Sequence, residues 1–242
     1  MPATQVTTLP ILYEDDHLLA VNKSAGVLSH PNRNKENKRC AFEGSYSLRT
    51  RCFVIGTAKT WLIHRLDSAT SGVLLAAKSE QTAAALQDLF RERKVKKGYQ
   101  ALVASIPTRK EGVWKDFIQT RERQLGVRSK IIEGRTTNAE LRFRVAEKFP
   151  EHGLARLEIE LMTGRTHQIR VQSAQRKCPV VGDRTYGNFQ ANRRLKKVLG
   201  SNRLFLHSGS LKFTHPVTGE EIVIETALPD ELQEALVRLR KI

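Results

Sequence analysis

The chain is short of the residues that staple, span or ligate. It holds only 3 cysteines in 242 residues and no C-x-x-C pair, which argues against a disulfide framework and fits a reducing compartment, taken here as the cytoplasm. Its longest apolar run is Val73-Leu74-Leu75-Ala76-Ala77, whereas a membrane span takes roughly 20 residues. Met1 to Pro10 is polar and Thr-rich, without the basic start and apolar centre of a secretory signal. Internal repeats, low-complexity tracts and Pro/Gly/Ser linkers are also missing, so one domain covering residues 1–242, bilobed at most, is expected.

Several chemistries go unsupported for the same reason. There is no G-x-x-x-x-G-K-[ST] and no G-x-G-x-x-G, the loops whose backbone amides cradle phosphates. A G-x-S-x-G nucleophile elbow and an H-E-x-x-H zinc helix are likewise absent. The 7 histidines, at 17, 30, 64, 152, 167, 207 and 215, show no metal-ligand spacing with cysteine or carboxylate. A reaction with no cofactor and no metal is expected.

Acidic residues are the scarcest relative to need: 41 Lys and Arg face 25 Asp and Glu, a net charge of +16. With 40% hydrophobic and 27% charged residues the chain can bury a core, so disorder does not explain the imbalance. A surplus of this size self-repels unless it neutralises a polyanion, and without a membrane signal a nucleic acid is the better partner. The cations gather at Arg91, Arg93, Lys94, Lys96 and Lys97, at Arg121, Arg123, Arg128 and Lys130, and at Arg193, Arg194, Lys196 and Lys197. Some of these are ordinary solvated faces, but the last cluster has no acid nearby to offset it.

Periodicity predicts short strands on either side of the acidic turn between Ile11 and Val21, then a loop-rich, irregular stretch from Ser24 to Lys59. Gly72 to Ala77 reads as a strand, and Ser79 as the cap of a helix with Ala83, Leu86 and Phe90 on one face. Lys97 to Ala104, the alternating Leu141-Phe143-Val145 and Leu157-Ile159-Leu161 sets, Leu204 to Leu206 and Glu221 to Glu225 read as further strands. A last helix opens at Pro229-Asp230 and carries Leu232, Leu236 and Leu239. Strands outnumber helices without alternating with them, which predicts an α+β fold around a largely antiparallel sheet.

Three segments can carry chemistry. In His64-Arg65-Leu66-Asp67-Ser68-Ala69-Thr70-Ser71-Gly72 an Asp stands on a polar turn at the edge of an apolar strand; taken alone, such an Asp more often caps a turn. In Gly164-Arg165-Thr166-His167-Gln168-Ile169-Arg170-Val171, Gly164 permits a bend that throws Arg165 forward, to pair with a catalytic carboxylate, a structural one or a phosphate. In Lys97-Gly98-Tyr99-Gln100-Ala101-Leu102-Val103 an aromatic follows the densest basic run, fit for stacking on an unpaired base or simply for filling a strand.

Together these segments resemble the three signatures of the RluA-type RNA pseudouridine synthases, and the resemblance extends through Val21-Asn22-Lys23-Ser24-Ala25-Gly26, Val181 to Gly187, Leu206-His207-Ser208 and His215 to Gly219. It covers most of residues 9–230, taken as the catalytic core, and implies the pseudouridine synthase fold with a central cleft. By position it implies that Asp67 is the catalytic carboxylate, that Arg165 pairs with it, and that Tyr99 packs on the target uracil. Arg65 would take the place of the flipped nucleotide in the RNA stack. His64, Thr70 and His167, inside the same motifs, are expected in supporting roles. Gln172 and Cys178 stand where relatives often carry His. Many relatives also carry a small RNA-binding module ahead of the catalytic part; here about ten residues precede the first strand, so no separate N-terminal RNA-binding domain is expected.

The implied activity is isomerisation of uridine to pseudouridine in transfer or ribosomal RNA. Lys94, Lys96, Lys97, Arg193, Arg194, Lys196 and Lys197 are expected along the RNA backbone, and a monomer with no protein partner is expected. Two other classes compete: an RNA-binding protein that keeps the scaffold without catalysis, and a metal-dependent nuclease, which wants a carboxylate cluster not seen around Asp67. Substrate choice is expected in the Ser24 to Lys59 and Gln119 to Thr137 stretches.

Overall fold

A computed structural model describes residues 5–31, 39–123 and 126–241. Its strands in chain order are β1 (Ile11–Glu14), β2 (Leu18–Lys23), β3 (Ser45–Ser47), β4 (Cys52–Ile55), β5 (Ala58–Leu62), β6 (Ser71–Ala77), β7 (Lys96–Val103), β8 (Glu111–Asp116), β9 (Ile118–Arg123), β10 (Gly126–Ile131), β11 (Ala139–Phe149), β12 (Leu154–Leu161), β13 (Leu206–Thr214) and β14 (Glu221–Glu225). The helices are α1 (Glu80–Arg91), α2 (Gln168–Gln175), α3 (Phe189–Leu199) and α4 (Asp230–Arg240). The expected α+β class and antiparallel pairing are both present.

The chain forms two compact units, one built from residues up to Lys96 with Ser208–Ala227, the other from Lys97–His207 with the residues from Leu228 on. In the first unit β6 is buried along its whole length, because both faces of Val73-Leu74-Leu75-Ala76-Ala77 are covered. It pairs with β2 from Leu18↔Ala77 to Lys23↔Gly72, and with β5. Helix α1 lays Ala83 and Leu86 on Leu75, Ala77 and Phe213, and the Ser79 side chain accepts from the Thr82 amide, the cap expected from sequence.

One expectation needs correction. Residues 24–59 are not simply irregular: β3, β4 and the start of β5 form a small antiparallel meander there. Its strands are too short to show a period of two, and it is held instead by rings, Tyr46 lying 4.5 Å from Phe53 and Phe42 5.7 Å from Phe53. Most of the basic run between Pro31 and Arg39 lies outside the described residues.

In the second unit β12 is the centre of a meander. It pairs with β7 through Ile159↔Tyr99 and with β11 through Phe143↔Ile159, and β11 pairs in turn with β8. The exposed faces of β11 and β12 carry Arg144 and Glu158, the inner faces Leu141, Phe143, Leu157 and Ile159, as the alternation predicts. Strands β9 and β10 make a separate hairpin, and α4 packs Leu232, Leu236 and Leu239 on Phe149, Leu154 and Phe205.

Candidate active-site segments

Asp67, Arg65, His64 and Thr70 belong to the first unit, Tyr99, Arg165 and His167 to the second. Each set is built by its own local means.

The stretch around Asp67 arrives from β5 and turns into β6. Leu66 is clamped by the buried Ser29, whose Oγ donates to the Leu66 carbonyl at 3.0 Å and accepts from its amide at 3.0 Å. The Gly26 amide donates to the Ser68 carbonyl at 2.7 Å, and the Thr70 amide closes the turn onto the Asp67 carbonyl at 3.0 Å. Under this turn the fully buried Lys23 directs its Nζ at the carbonyls of Val27 (2.9 Å), Ser24 (3.0 Å) and Ser68 (3.4 Å). A buried ammonium is tolerable only with such oxygen partners, and the result is that two loops remote in sequence are gathered on one cation. Asp67 is left half-buried and Arg65 exposed.

Beyond the turn, Gly72 has φ +119°, and a Cβ there would lie 2.1 Å from the Ser208 carbonyl oxygen, so only glycine fits. His64 supports the turn rather than facing outward as a free base: its Nε2 accepts from the Leu75 amide at 3.0 Å and its ring stacks on Phe90 at 5.2 Å.

The Arg165 loop follows β12 and ends at α2. Gln168 organises it. The Gln168 Oε1 accepts from the Arg165 amide (3.0 Å) and from Thr163 Oγ1 (2.7 Å), while Nε2 donates to the Glu140 carbonyl at 3.0 Å. The chain bends at Met162 and Thr163, directly before Gly164, without a conformation there that only glycine adopts. Gly164 has no positive φ and a Cβ there would meet nothing, whereas His167 carries the left-handed conformation at φ +57°. That strained residue is held by Tyr186, whose Oη lies 2.8 Å from His167 Nδ1 and accepts from the Ser129 amide at 2.8 Å. Ser129 Oγ in turn donates to the Thr166 carbonyl at 2.7 Å, tying hairpin β9–β10 to the loop.

Behind Tyr186 stands a buried ion pair. Arg170 donates from Nε and Nη2 to both oxygens of Asp183, at 2.7 and 2.9 Å, and its guanidinium lies 5.2 Å from the Tyr186 ring centre. Burial by itself would push the Asp183 carboxyl up, but the Arg170 guanidinium and the Tyr186 and Thr185 amides outweigh it and hold it below the ordinary carboxylate range. Burial pushes the Tyr186 phenol up, so it stays protonated near neutrality. Lys23, Gln168, Arg170, Asp183 and Tyr186 carry no role that residue type and spacing alone could assign, although all lie in segments that bear the resemblance. No spacing rule connects positions 129, 167, 183 and 186; only the folded unit does.

Tyr99 is buried on β7, and Arg165 is exposed. The basic clusters divide. Lys94 and Lys96 are exposed, Lys94 pairing with Glu92 at 2.7 Å, and the four α3 cations Arg193, Arg194, Lys196 and Lys197 all face water. Lys97 is only 7% exposed, so among its neighbours it is the one least suited to follow a phosphate backbone. Gln172 is fully buried with Nε2 on Asp116, and Cys178 is buried with a thiol pushed up to about 11 by that burial, so both departures from the motifs serve packing. Among the described residues no three or more His, Cys, Asp or Glu side chains gather as a metal site, and no helix is long and apolar enough to cross a membrane.

Comparison with known proteins adds the following. The family model described as RNA pseudouridylate synthase matches residues 17–175. The chain is 38% identical over 236 residues to the ribosomal large subunit pseudouridine synthase C of Escherichia coli O157:H7, covering 95% of this chain and 70% of that protein. It is 35% identical over 230 residues to the protein of the same name from Haemophilus ducreyi, covering 95% and 69%. Among solved structures, human RNA pseudouridylate synthase domain containing 4 superposes with a TM-score of 0.69 at 24% identity, over 95% of this chain and 92% of that one. Human RNA pseudouridylate synthase domain containing 1 gives 0.66 at 24%, over 100% and 98%.

Proposed function

Since the chain belongs to the RNA pseudouridylate synthase family, and within it to the RluA type, we propose that it isomerises uridines of ribosomal RNA with Asp67 as the catalytic carboxylate. Pseudouridylation of RNA is the activity of the family; the ribosomal substrate is supported by the names of the relatives. The observation that carries the assignment of Asp67 is its place in the intact H-R-L-D-x-x-T-S-G segment, on a turn clamped by Ser29 and Lys23 while the side chain keeps partial exposure.

The reaction cuts the bond between the sugar's anomeric carbon and a ring nitrogen, turns the uracil and rejoins it through ring carbon five. Atoms are only rearranged, with no net redox change and no net hydrolysis, so the chemistry calls for no cofactor. Asp67 attacks or deprotonates the sugar, Arg165 pairs with it and fixes its direction, and Tyr99 retains the detached base and assists removal of the proton at the new junction. All three act on one nucleotide. Arg65 fills the gap left in the RNA stack, offsetting an unstacking cost of a few kcal/mol. The cations of α3, with Lys94 and Lys96, take the flanking phosphates. The enzyme acts as a monomer in the cytoplasm without a protein partner.

Asp67→Asn tests the assignment. The variant is expected to bind ribosomal RNA as tightly as the native protein and to form no pseudouridine above background; an active variant removes Asp67 from the mechanism. Pseudouridine mapping in total RNA with and without the gene identifies the modified position.

A further inference from the structure

Helix α3 presents more than charge. Its inward side sets Leu195, Val198 and Leu199 against Leu232 and Leu236. Its outward side carries Phe189, Arg193, Lys196 and Lys197, spaced i, i+4, i+7 and i+8, over a rise of about 12 Å. Arg194 is exposed beside them. Phe189 is 71% exposed, the most exposed of the large apolar side chains among the described residues, and the Arg193 guanidinium lies 5.7 Å from its ring centre. A phenyl ring left in water serves no core. Along the helix itself the charge is of one sign, since the sequence contains no acidic residue between Asp183 and Glu220. An aromatic ring flanked by cations, with no acid on their own helix, is the chemistry of an unpaired nucleotide: the ring takes the base, the cations the phosphates on either side.

The helix is also fixed to the Arg165 loop inside its own unit. Asn192 Oδ1 accepts from the Gly182 amide at 3.0 Å and Asn192 Nδ2 donates to the Asp183 carbonyl at 2.9 Å, and the Asp183 carboxylate holds Arg170 and the Tyr186 amide. An RNA strand seated on α3 is therefore held at a set distance from that loop.

We propose that α3 is a docking site for single-stranded RNA, in which one unpaired base stacks on Phe189 while Arg193, Arg194, Lys196 and Lys197 bind the adjoining phosphates. The proposal rests on the RNA-modifying reading above and adds the strandedness of the contacted segment. Duplex RNA offers the same phosphates but no free base face.

The experiment measures binding of the full chain to a labelled 12-nucleotide oligoadenylate, which contains no uridine to enter the catalytic centre, and to a blunt-ended, loop-free duplex of similar charge, across salt concentrations. Phe189→Ala is expected to weaken oligoadenylate binding about tenfold at fixed salt, leave the salt slope unchanged and alter duplex binding less than twofold. Phe189→Trp should restore affinity. Lys196→Gln with Lys197→Gln should instead flatten the slope, by about 0.7 for each phosphate no longer neutralised. The proposal is overturned if Phe189→Ala leaves oligoadenylate binding intact, if it weakens duplex binding equally, or if it weakens binding of poly-glutamate as much, which would mark a surface for an acidic protein. Isomerisation of ribosomal RNA by the native protein is assayed alongside: activity without a Phe189 effect refutes only the docking site, and a Phe189 effect without activity refutes only the enzymatic reading.

Discussion

Around Asp67 the backbone is held by the Ser29 hydroxyl and by carbonyl groups converging on one buried ammonium, whereas around Arg165 it is held by a relay of side chains, from Gln168 through His167 and Tyr186 to the Arg170–Asp183 pair. The first arrangement draws on peptide dipoles and a serine hydroxyl. The second contains a carboxylate that can be neutralised, and it spends strain at His167, whose left-handed backbone costs on the order of 1 kcal/mol and persists because Tyr186 grips the ring. Two loops of similar length can thus be made equally definite by unlike means, and they should fail differently.

The sharpest separation is expected at Asp183. Asp183→Asn takes the carboxylate charge away from the buried Arg170 guanidinium and should cost about 3–5 kcal/mol in urea unfolding at pH 7. Because the folded carboxyl is held below its unfolded value, its contribution is fully present above about pH 4 and is lost as pH falls through the folded value, so the gap between native and variant midpoints should shrink in acid. A gap independent of pH would break the contrast. Lys23→Met comes next, at about 3 kcal/mol, because the Ser24, Val27 and Ser68 carbonyls are deprived of a shared donor; differential scanning calorimetry reads the lowered midpoint. Tyr186→Phe removes one hydroxyl serving both His167 and Ser129, and should cost about 1 kcal/mol of stability while lowering the rate of pseudouridine formation at saturating RNA. The smallest effect belongs to Gly164→Ala, within about 0.5 kcal/mol, since a Cβ there meets nothing; a large loss of stability would show that the position needs glycine after all.

That last case shows where reading by residue type goes astray. Glycine in G-R-T-H-Q suggests the bend, but the strained position is His167, a choice made by a phenol 19 residues away. Gly72 is the opposite case: it is demanded by the approach of the Ser208 backbone, which no local pattern announces. Lys97 belongs to a run of cations in the sequence, yet alternation along β7 turns it inward while Lys96 faces water. The meander at residues 45–62 is hidden from periodicity because its strands are 3, 4 and 5 residues long, below the length at which a period of two stands out.

By itself the sequence determined what depends on neighbours along the chain: the apolar alternation of β11 and β12, the Ser79 cap, the Leu232-Leu236-Leu239 stripe of α4, and the three signature segments with their Asp, Tyr and Arg. Tertiary structure alone decided which cations are buried, which turn each carbonyl or hydroxyl fastens, and why Phe189 remains in water. The physical reason is range. Helical and strand periods are set within a few residues, but the cost of burying a charge or bending a backbone depends on partners such as Ser68 for Lys23, 45 positions apart, that only the folded chain brings within bonding distance.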